Sequence, residues 1–358
     1  MITKFKVSGF KGLKPLELPK LTRVSLLGGR NNVGKTSVLE ALFMFFDRLN
    51  PQMILRQYAW RGVRVIPLEA EAMWAPIFYN FDMNKAIIFE AKIDNAIEKM
   101  TLKFNPNYTS TKIQATTIGT ETKASQIRTD QPSTPTYSLD IKCEREKKTI
   151  LSSHLIVKLN ELGLQVDHME KNGRKAVFLG SRAFVDTNED AERFGQLDII
   201  GKQEKILEIL KIIEPKIKGL SSITKGNISL IYGDIGLNKK LPISYLGDGV
   251  SRLLSITLAI ATSKNGLVMI DECENGIHYS VMSKVWKGIG LAAQEFNCQV
   301  IGTTHSYECL HSAYEGFTGG MEEDFSYVRI DKDDDKIIAK TFDYHLLEAA
   351  FNANMEVR

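Results

Sequence analysis

The residues best suited to chemistry are a glycine-framed run near the N-terminal end of the chain. Eight residues, Gly29 to Thr36 (GRNNVGKT), fit the spacing GxxxxGK[ST]. Between a strand and a helix, such a run closes backbone N–H groups around phosphate oxygens, and the helix start adds its dipole. We expect Lys35 to neutralise β- and γ-phosphate charge and Thr36 to offer its hydroxyl to Mg²⁺. The residues predicted to bind ATP are Gly29, Arg30, Asn31, Asn32, Gly34, Lys35, Thr36 and Ser37.

A second candidate is a pair of acids that follows an apolar run. Leu267 to Ile270 is continuously apolar, and Asp271 and Glu272 come next. Asp271 suits the Mg²⁺ shell, usually through water, and Glu272 suits a general base that orients the attacking water. Apolar strands often end in acids, so this signal gains its weight from its position relative to the glycine run.

The segments around the glycine run have the periodicity that this chemistry requires. Val24 to Leu27 is a short apolar run typical of a buried strand, and Thr36 to Leu49 repeats apolar residues at helical spacing. Ahead of them, residues 1–20 predict a hairpin around Gly9 to Gly12. The order is therefore strand, glycine loop and helix.

The middle of the chain has a different pattern. Strand-like runs predict an inserted antiparallel β region over about residues 86–145, interrupted by a polar stretch, Asn105 to Ser138, that predicts a long loop. We predict helices over Ile150 to Leu164 and Ala191 to Lys218, followed by short strands over Ser221 to Leu241.

The last third alternates helices and strands. A glycine-containing loop and an apolar-faced helix are predicted within Pro242 to Ser263, then a buried strand over Gly266 to Ile270. A helix over Tyr279 to Ala293 and a strand over Gln299 to Thr303 follow, and Thr304-His305-Ser306 ends that strand.

Several segments, taken in order, resemble the SMC, RecF and OLD (overcoming lysogenisation defect) group of ATPases. The resemblance covers roughly the first fifty and the last 120 residues. It rests on Phe10-Lys11-Gly12, on GRNNVGKTSVLEALF from Gly29, on YLGDGVSRLL from Tyr245, on IDECENGIH from Ile270 and on TTHS from Thr303. The sequence looks most like the stand-alone bacterial ATPases of the OLD group.

This resemblance implies an α/β fold, a P-loop NTPase of ABC type in which helices flank a mixed sheet, with an inserted antiparallel β region and a helical lobe. We divide the chain into an N-terminal part of the ATPase core (1–75), the insertion (76–240) and a C-terminal part of the core (241–358). The long separation between Lys35 and Asp271 is expected of such an insertion.

The resemblance also implies roles for further residues. The family's signature motif caps the γ-phosphate bound by a second copy, and it matches Gly247, Asp248, Gly249, Ser251 and Arg252. His305 matches a switch histidine that acts with Glu272 in catalysis. Asn275 and His278 fall in the D-loop at the dimer interface, although both could simply cap the next helix. Gln57 is a candidate Mg²⁺ ligand, or an ordinary exposed glutamine. Lys11 could approach the nucleotide, or could simply be solvated.

Composition limits the possible partners. The formal net charge is +3, from 46 basic and 43 acidic side chains, so only a local patch could bind DNA. The four cysteines lack the spacing of a zinc or disulfide framework, and no apolar run is long enough to span a bilayer. We expect a cytoplasmic protein without a membrane partner, dependent on ATP and Mg²⁺.

Three functional classes follow from these patterns. The first is an ATPase that dimerises or assembles further around ATP and regulates a separate effector such as a nuclease, in bacterial anti-phage defence. No acidic cluster of a nuclease domain is evident after His305, and Asp331 to Asp335 are typical of a hairpin turn. The second class is an SMC- or RecF-like ATPase that binds DNA in repair or sensing. The third, a transporter subunit, is disfavoured because LGDGV stands in place of LSGGQ.

Overall fold

Strands and helices of the computed structural model are described for residues 1–63, 65–108, 136–158, 161–170, 174–181, 187–333 and 336–357. The strands there are β1 (Ile2–Ser8), β2 (Leu16–Leu18), β3 (Val24–Gly28), β4 (Ile87–Ile93), β5 (Ala96–Asn105), β6 (Tyr137–Arg145), β7 (Lys148–Lys158), β8 (Glu161–Met169), β9 (Ala176–Leu179), β10 (Gly219–Lys225), β11 (Ile228–Asp234), β12 (Leu241–Pro242), β13 (Leu267–Ile270), β14 (Gln299–Thr303), β15 (Phe325–Asp333) and β16 (Lys336–Asp343). The helices are α1 (Lys35–Phe46), α2 (Met53–Trp60), α3 (Ala70–Trp74), α4 (Thr187–Ile199), α5 (Gln203–Leu210), α6 (Asp248–Ala261), α7 (Tyr279–Glu295), α8 (Tyr307–Phe317) and α9 (Tyr344–Asn352).

The chain forms two compact units that are interleaved in sequence. The first comprises Met1–Lys4, Leu18–Leu39 and Arg174–Arg358, and the second comprises Phe5–Glu17 and Glu40–Gly173. The division predicted at residues 75 and 240 follows the motifs rather than compactness, and it stays a prediction.

A six-stranded sheet organises the first unit. Its order is β16-β15-β3-β14-β13-β9, with parallel pairing throughout except between β15 and β16. The central strands are almost entirely buried, as their continuous apolar runs require. Parallel strands end at one edge of the sheet, and Leu27 of β3 lies in register with Thr303 of β14. The predicted α/β fold is confirmed, and this edge carries the candidate site.

The helices of the first unit differ in one place from the prediction. Instead of one helix over Ala191 to Lys218 there are two, α4 and α5, separated by Gly201 at φ +68°. That backbone conformation favours glycine and interrupts the helix. The chain leaves helical structure after Leu210, before Pro215, and enters β10 at Gly219.

The second unit carries most of a seven-stranded sheet with the order β2-β1-β4-β5-β6-β7-β8. Strands β4 to β8 pair antiparallel, which confirms the predicted β insertion. The helix predicted over Ile150 to Leu164 is wrong, because this segment forms β7 and the start of β8. In the pairing with β6, Ile150 is an extra residue between Thr149 and Leu151, and Leu155 to Val157 are buried in succession, so the segment lacks the simple alternation that would have indicated a strand. Most of the predicted loop over Asn105 to Ser138 lies outside the described residues.

Across the described ranges, no helix is both long and apolar enough to cross a bilayer.

Candidate active site

The glycine run lies at the end of β3, where the predicted strand, loop and helix are confirmed. Gly29, Asn32 and Gly34 have φ values of +131°, +63° and +97°, so the loop turns sharply at three points. A Cβ on Gly29 would clash with the carbonyl oxygen of Ile330, which explains glycine at the first position. Helix α1 then begins at Lys35.

The Lys35 side chain folds back over this loop. Its ammonium donates hydrogen bonds to the carbonyl oxygens of Gly29 at 2.7 Å and Arg30 at 2.9 Å. Burial lowers the pKa of Lys35, while nearby carboxylates, first among them that of Glu274, oppose the shift. The loop therefore holds a cation next to backbone that can bind phosphate.

Thr36 and Asp271, both predicted to hold Mg²⁺, meet across the sheet edge. The Thr36 hydroxyl donates to Asp271 Oδ1 at 3.0 Å, and the Asp271 side chain is almost fully buried. A hydroxyl and a carboxylate are the oxygen ligands that Mg²⁺ prefers. The described residues contain no group of three or more His, Cys, Asp or Glu side chains suited to a metal ion. These two oxygens fit an ion that takes its other ligands from water and phosphate.

Thr303, which the sequence interpretation did not assign, joins the two acids. Its hydroxyl donates to Asp271 Oδ1 at 2.7 Å and accepts the backbone N–H of Glu272 at 2.8 Å. Thr303 is 1% exposed. Its place at the end of β14, two residues before His305, was the available signal, because that end lies beside the end of β13.

Glu272 has an unusual backbone conformation. Its φ is +50°, which is uncommon for a residue other than glycine, and such outliers concentrate at functional sites. The side-chain amide of Asn275 donates to Glu272 Oε2 at 2.7 Å. The hydrogen bond from Asn275 to the side chain and the one from the Glu272 N–H to Thr303 fix the residue predicted to act as general base.

His305 is held by a second unassigned residue, Glu274. The backbone N–H of His305 donates to Glu274 Oε1 at 3.0 Å, and His305 Nδ1 lies 3.1 Å from the same oxygen. The His305 side chain is 47% exposed, whereas that of Glu274 is 11% exposed. One oxygen therefore orients the imidazole and leaves its other edge accessible.

The predicted signature residues form the start of α6. Gly247 has φ +107°, and no side chain caps the helix N-terminus. Gly247 and Asp248 are exposed and Gly249 is partly exposed, while the Ser251 hydroxyl donates to the carbonyl of Ile243 at 3.3 Å. Arg252 turns inward, where burial lowers its pKa and its Nε and Nη2 have no hydrogen-bond partner in the described part of the chain.

Two other predicted site residues lie at a helix N-terminus and in a buried position. His278 caps α7, since its side chain accepts the Ser280 backbone N–H at 3.3 Å. Gln57 lies on α2 in the second unit and is 2% exposed, so it is not an exposed glutamine. Its role as an Mg²⁺ ligand and the D-loop role of His278 stay predictions.

Lys11 belongs to an ion cluster of the second unit rather than to a solvated surface. Its ammonium lies 2.7 Å from Glu40 Oε2, and Arg61 binds both oxygens of the same carboxylate, at 2.7 and 2.8 Å. Glu40 is 0% exposed. Burial lowers the pKa of Lys11 to about 8. The cluster ties the turn after β1 to α1 and to the end of α2.

Comparisons with known proteins agree with this geometry. The family model described as "AAA domain, putative AbiEii toxin, Type IV TA system" matches residues 24–310. A Helicobacter pylori (strain ATCC 700392 / 26695) protein named "ATP/GTP phosphatase" is 24% identical over 376 residues, 98% of each chain. An uncharacterised protein of Methanocaldococcus jannaschii is 38% identical over 67 residues, 17% of this chain and 31% of its own.

One solved structure is similar over the whole chain. It is described as "Crystal structure of the SmcHead bound to the C-winged helix domain of ScpA". The TM-score is 0.50 at 11% identity, over 98% of this chain and 99% of that one. This likeness supports the ABC-type P-loop ATPase fold.

Proposed function

Because the chain belongs to the AAA-domain family that matches residues 24–310, we propose that it is an ATPase whose nucleotide site is completed by a second copy. The observation that carries the proposal is the hydrogen-bonded series from Thr36 through Asp271 and Thr303 to Glu272. This series connects the phosphate-binding loop to the two acids that follow β13.

Each residue of the site has a part in hydrolysis. The loop N–H groups and Lys35 bind the phosphates and offset their charge. Water attacks the γ-phosphorus, its proton passes to the Glu272 carboxylate, and ADP leaves with the bridging oxygen. His305 would contact the γ-phosphate or the water. Thr36 and Asp271 would hold Mg²⁺, which supplies charge stabilisation to the phosphates when bound.

The start of α6 supports completion in trans. Its uncapped N-terminus is exposed at Gly247 and Asp248, and free N–H groups at a helix start favour an anion. The resemblance to SMC, RecF and OLD proteins assigns that anion to the γ-phosphate held by the partner copy. ATP binding would then join two copies, and hydrolysis would release them.

Steady-state phosphate release and light-scattering mass test this proposal in four proteins. Lys35→Ala should lose ATP binding and turnover, whereas Glu272→Gln should lose turnover and accumulate an ATP-bound dimer. Glu295→Gln changes an exposed acid at the end of α7 and serves as the matched control, with wild-type behaviour expected. Wild-type turnover in both site variants would refute the proposal.

We further propose that the nucleotide state regulates a separate effector in anti-phage defence. The supports are the family's description, which refers to toxin–antitoxin systems, and the resemblance to stand-alone OLD-type ATPases. Plaque counts on a host that expresses this protein together with its neighbouring genes test this role. Lys35→Ala and Glu272→Gln should each change protection, and equal protection by wild type and both variants would contradict it.

A further inference from the structure

The three-stranded sheet β10-β11-β12 of the first unit has an inner face that packs on the core and an outer face. Ile231 on the inner face is 7% exposed, and a Cβ on Gly233 would contact the side chains of Leu246 and Ile243. Directly opposed residues of antiparallel strands share a face, and neighbours along a strand alternate between faces. The pairing of β10 with β11 therefore assigns to the outer face Ser221, Ile223, Lys225, Ile228, Leu230 and Tyr232.

The centre of the outer face is apolar. Ile223 lies directly opposite Leu230, and Ile228, which is 57% exposed, lies opposite Lys225. Among the described residues, none of Ile223, Leu230 and Tyr232 belongs to the core cluster of this unit or packs against it. An apolar sheet face is normally covered by another element, and exposed apolar patches with a polar rim mark interaction sites.

Lysines surround this apolar row. Lys225 is exposed on the face itself, and Lys240 donates to the Ser221 hydroxyl at 2.6 Å, which places its ammonium on the same face. Residues 216–241 contain five lysines and one acid, Asp234, whose carboxylate accepts a backbone N–H in the following turn. The formal charge of the whole chain is only +3. The rim of the outer face is therefore positive, and acidic side chains of a partner would complement it.

This chemistry fits a protein helix better than a nucleic acid. Residues 216–241 contain no arginine, which is the residue of choice for nucleic-acid recognition. The side chains of Ile223, Ile228 and Leu230 offer no hydrogen bond to a phosphate or a base. An amphipathic helix, in contrast, presents an apolar stripe and can carry acids on both sides of that stripe.

The position of the sheet connects this surface to the nucleotide site. On the inner face, Gly233 packs against the turn Ile243–Leu246, and that turn leads directly into Gly247 of the predicted signature. A helix on the outer face would lie one layer of strands away from the segment predicted to cap ATP in the partner copy. Such a place suits a protein whose binding responds to the nucleotide state.

We propose that the outer face binds an amphipathic helix of the effector. The apolar stripe of that helix covers Ile223 and Leu230, and acids beside the stripe pair with Lys225 and Lys240. This assignment rests on the proposed regulation of a separate effector, and it adds the surface and the chemistry that hold that protein.

Synthetic helical peptides test the docking surface without the effector. One probe has about 18 residues of leucine, alanine and glutamate, with a single leucine stripe flanked by glutamates, and a second probe has lysine at every glutamate position. In fluorescence anisotropy with the full-length protein, the glutamate probe should bind with a Kd below about 100 μM and at least about tenfold more tightly than the lysine probe. Equal affinity for both probes, or a weaker glutamate probe, would overturn the proposal.

Substitutions on the outer face separate charge from apolar contact. Lys225→Glu combined with Lys240→Glu should reduce the preference for the glutamate probe to less than about twofold. Leu230→Ser should weaken binding of that probe at least about fivefold. The matched controls are Lys264→Glu, in the exposed turn after α6, and Leu346→Ser, at a half-exposed leucine of α9, and both should bind as wild type does.

Phosphate release by the same proteins keeps the two proposals apart, and all these variants should hydrolyse ATP at the wild-type rate. Wild-type affinity for the glutamate probe in the outer-face variants would overturn the docking surface while the ATPase function stands. Absence of phosphate release in wild type would refute the ATPase function and leave the binding result unaffected. Tighter binding of a DNA duplex of about 20 base pairs than of the glutamate probe would assign the face to nucleic acid and overturn the proposal.

Discussion

Replacing Thr303 with valine removes one hydroxyl and keeps the shape of the side chain. That hydroxyl donates to Asp271 at 2.7 Å and accepts the N–H of Glu272 at 2.8 Å, and Thr303 is 1% exposed. Valine would leave the Glu272 N–H without this acceptor and would remove one donor from the buried Asp271. An unsatisfied buried group costs about 1–3 kcal/mol, so we expect the free energy of unfolding to fall by about 2–4 kcal/mol.

The same change should slow catalysis more than it weakens binding. Glu272 sits at φ +50°, and the hydrogen bond from its backbone N–H to Thr303 helps to hold it there. A misplacement of about 1 Å can cost roughly 100-fold in rate, so kcat should fall about 10- to 100-fold while ATP affinity stays within about threefold.

Denaturant unfolding, ATP titration and steady-state phosphate release measure these effects. Thr257→Val is the matched control, because Thr257 is fully buried in α6 and its hydroxyl has no hydrogen-bond partner in the described part of the chain. This substitution should leave the free energy of unfolding unchanged or raise it, and kcat should stay at the wild-type value. Wild-type stability and kcat in Thr303→Val would refute the positioning role of the hydroxyl.

Three further predictions concern other carboxylates. Glu40→Gln removes the buried carboxylate that pairs with Lys11, whose side chain is 15% exposed, and with the half-exposed Arg61, so denaturant unfolding should show a loss of about 3–5 kcal/mol, and an unchanged midpoint would contradict this. Glu274→Gln replaces the acceptor at His305 with a neutral one and should lower kcat more than it changes KM, whereas equal changes in both would argue against positioning. Burial raises the pKa of Asp190 to about 6, although a hydrogen bond from Ser255 opposes the shift. The folded state therefore binds more protons than the unfolded state between about pH 4 and 6, and the free energy of unfolding falls as pH rises through that window. Asp190→Asn should remove up to about 3 kcal/mol of that fall in unfolding experiments at pH 4 and 7, and an identical pH dependence in both proteins would contradict it.

The fold near the site could be predicted because local signals agree there. Short apolar runs there lie next to residues that favour only a few local structures. This holds for the loop from Gly29 to Thr36, for the strand Gln299–Thr303 and for the acids after Ile270. Thr36 and Asp271 were each predicted to hold Mg²⁺, and they lie within hydrogen-bond distance of each other.

The structural features that the sequence did not predict depend on pairing between distant segments. Ile150 to Leu164 has apolar spacing compatible with a helix, and pairing with the partner strands makes it strand: β7 pairs with β6 and β8. Thr303 and Glu274 lie within segments that carry the family resemblance, but the sequence assigned neither a role, because that role arises when β13 and β14 lie side by side. Single-sequence periodicity contains neither kind of information.

The central claim, a nucleotide site shared between two copies, is tested most directly by mixing two inactive variants. Lys35→Ala disables the phosphate loop, and Gly249→Glu places a negative charge at the start of α6. In a sandwich dimer, the mixed species contains one site with both parts intact, so an equal mixture should regain up to about a quarter of wild-type ATPase activity. Activity that stays at the level of the separate variants would contradict the shared site.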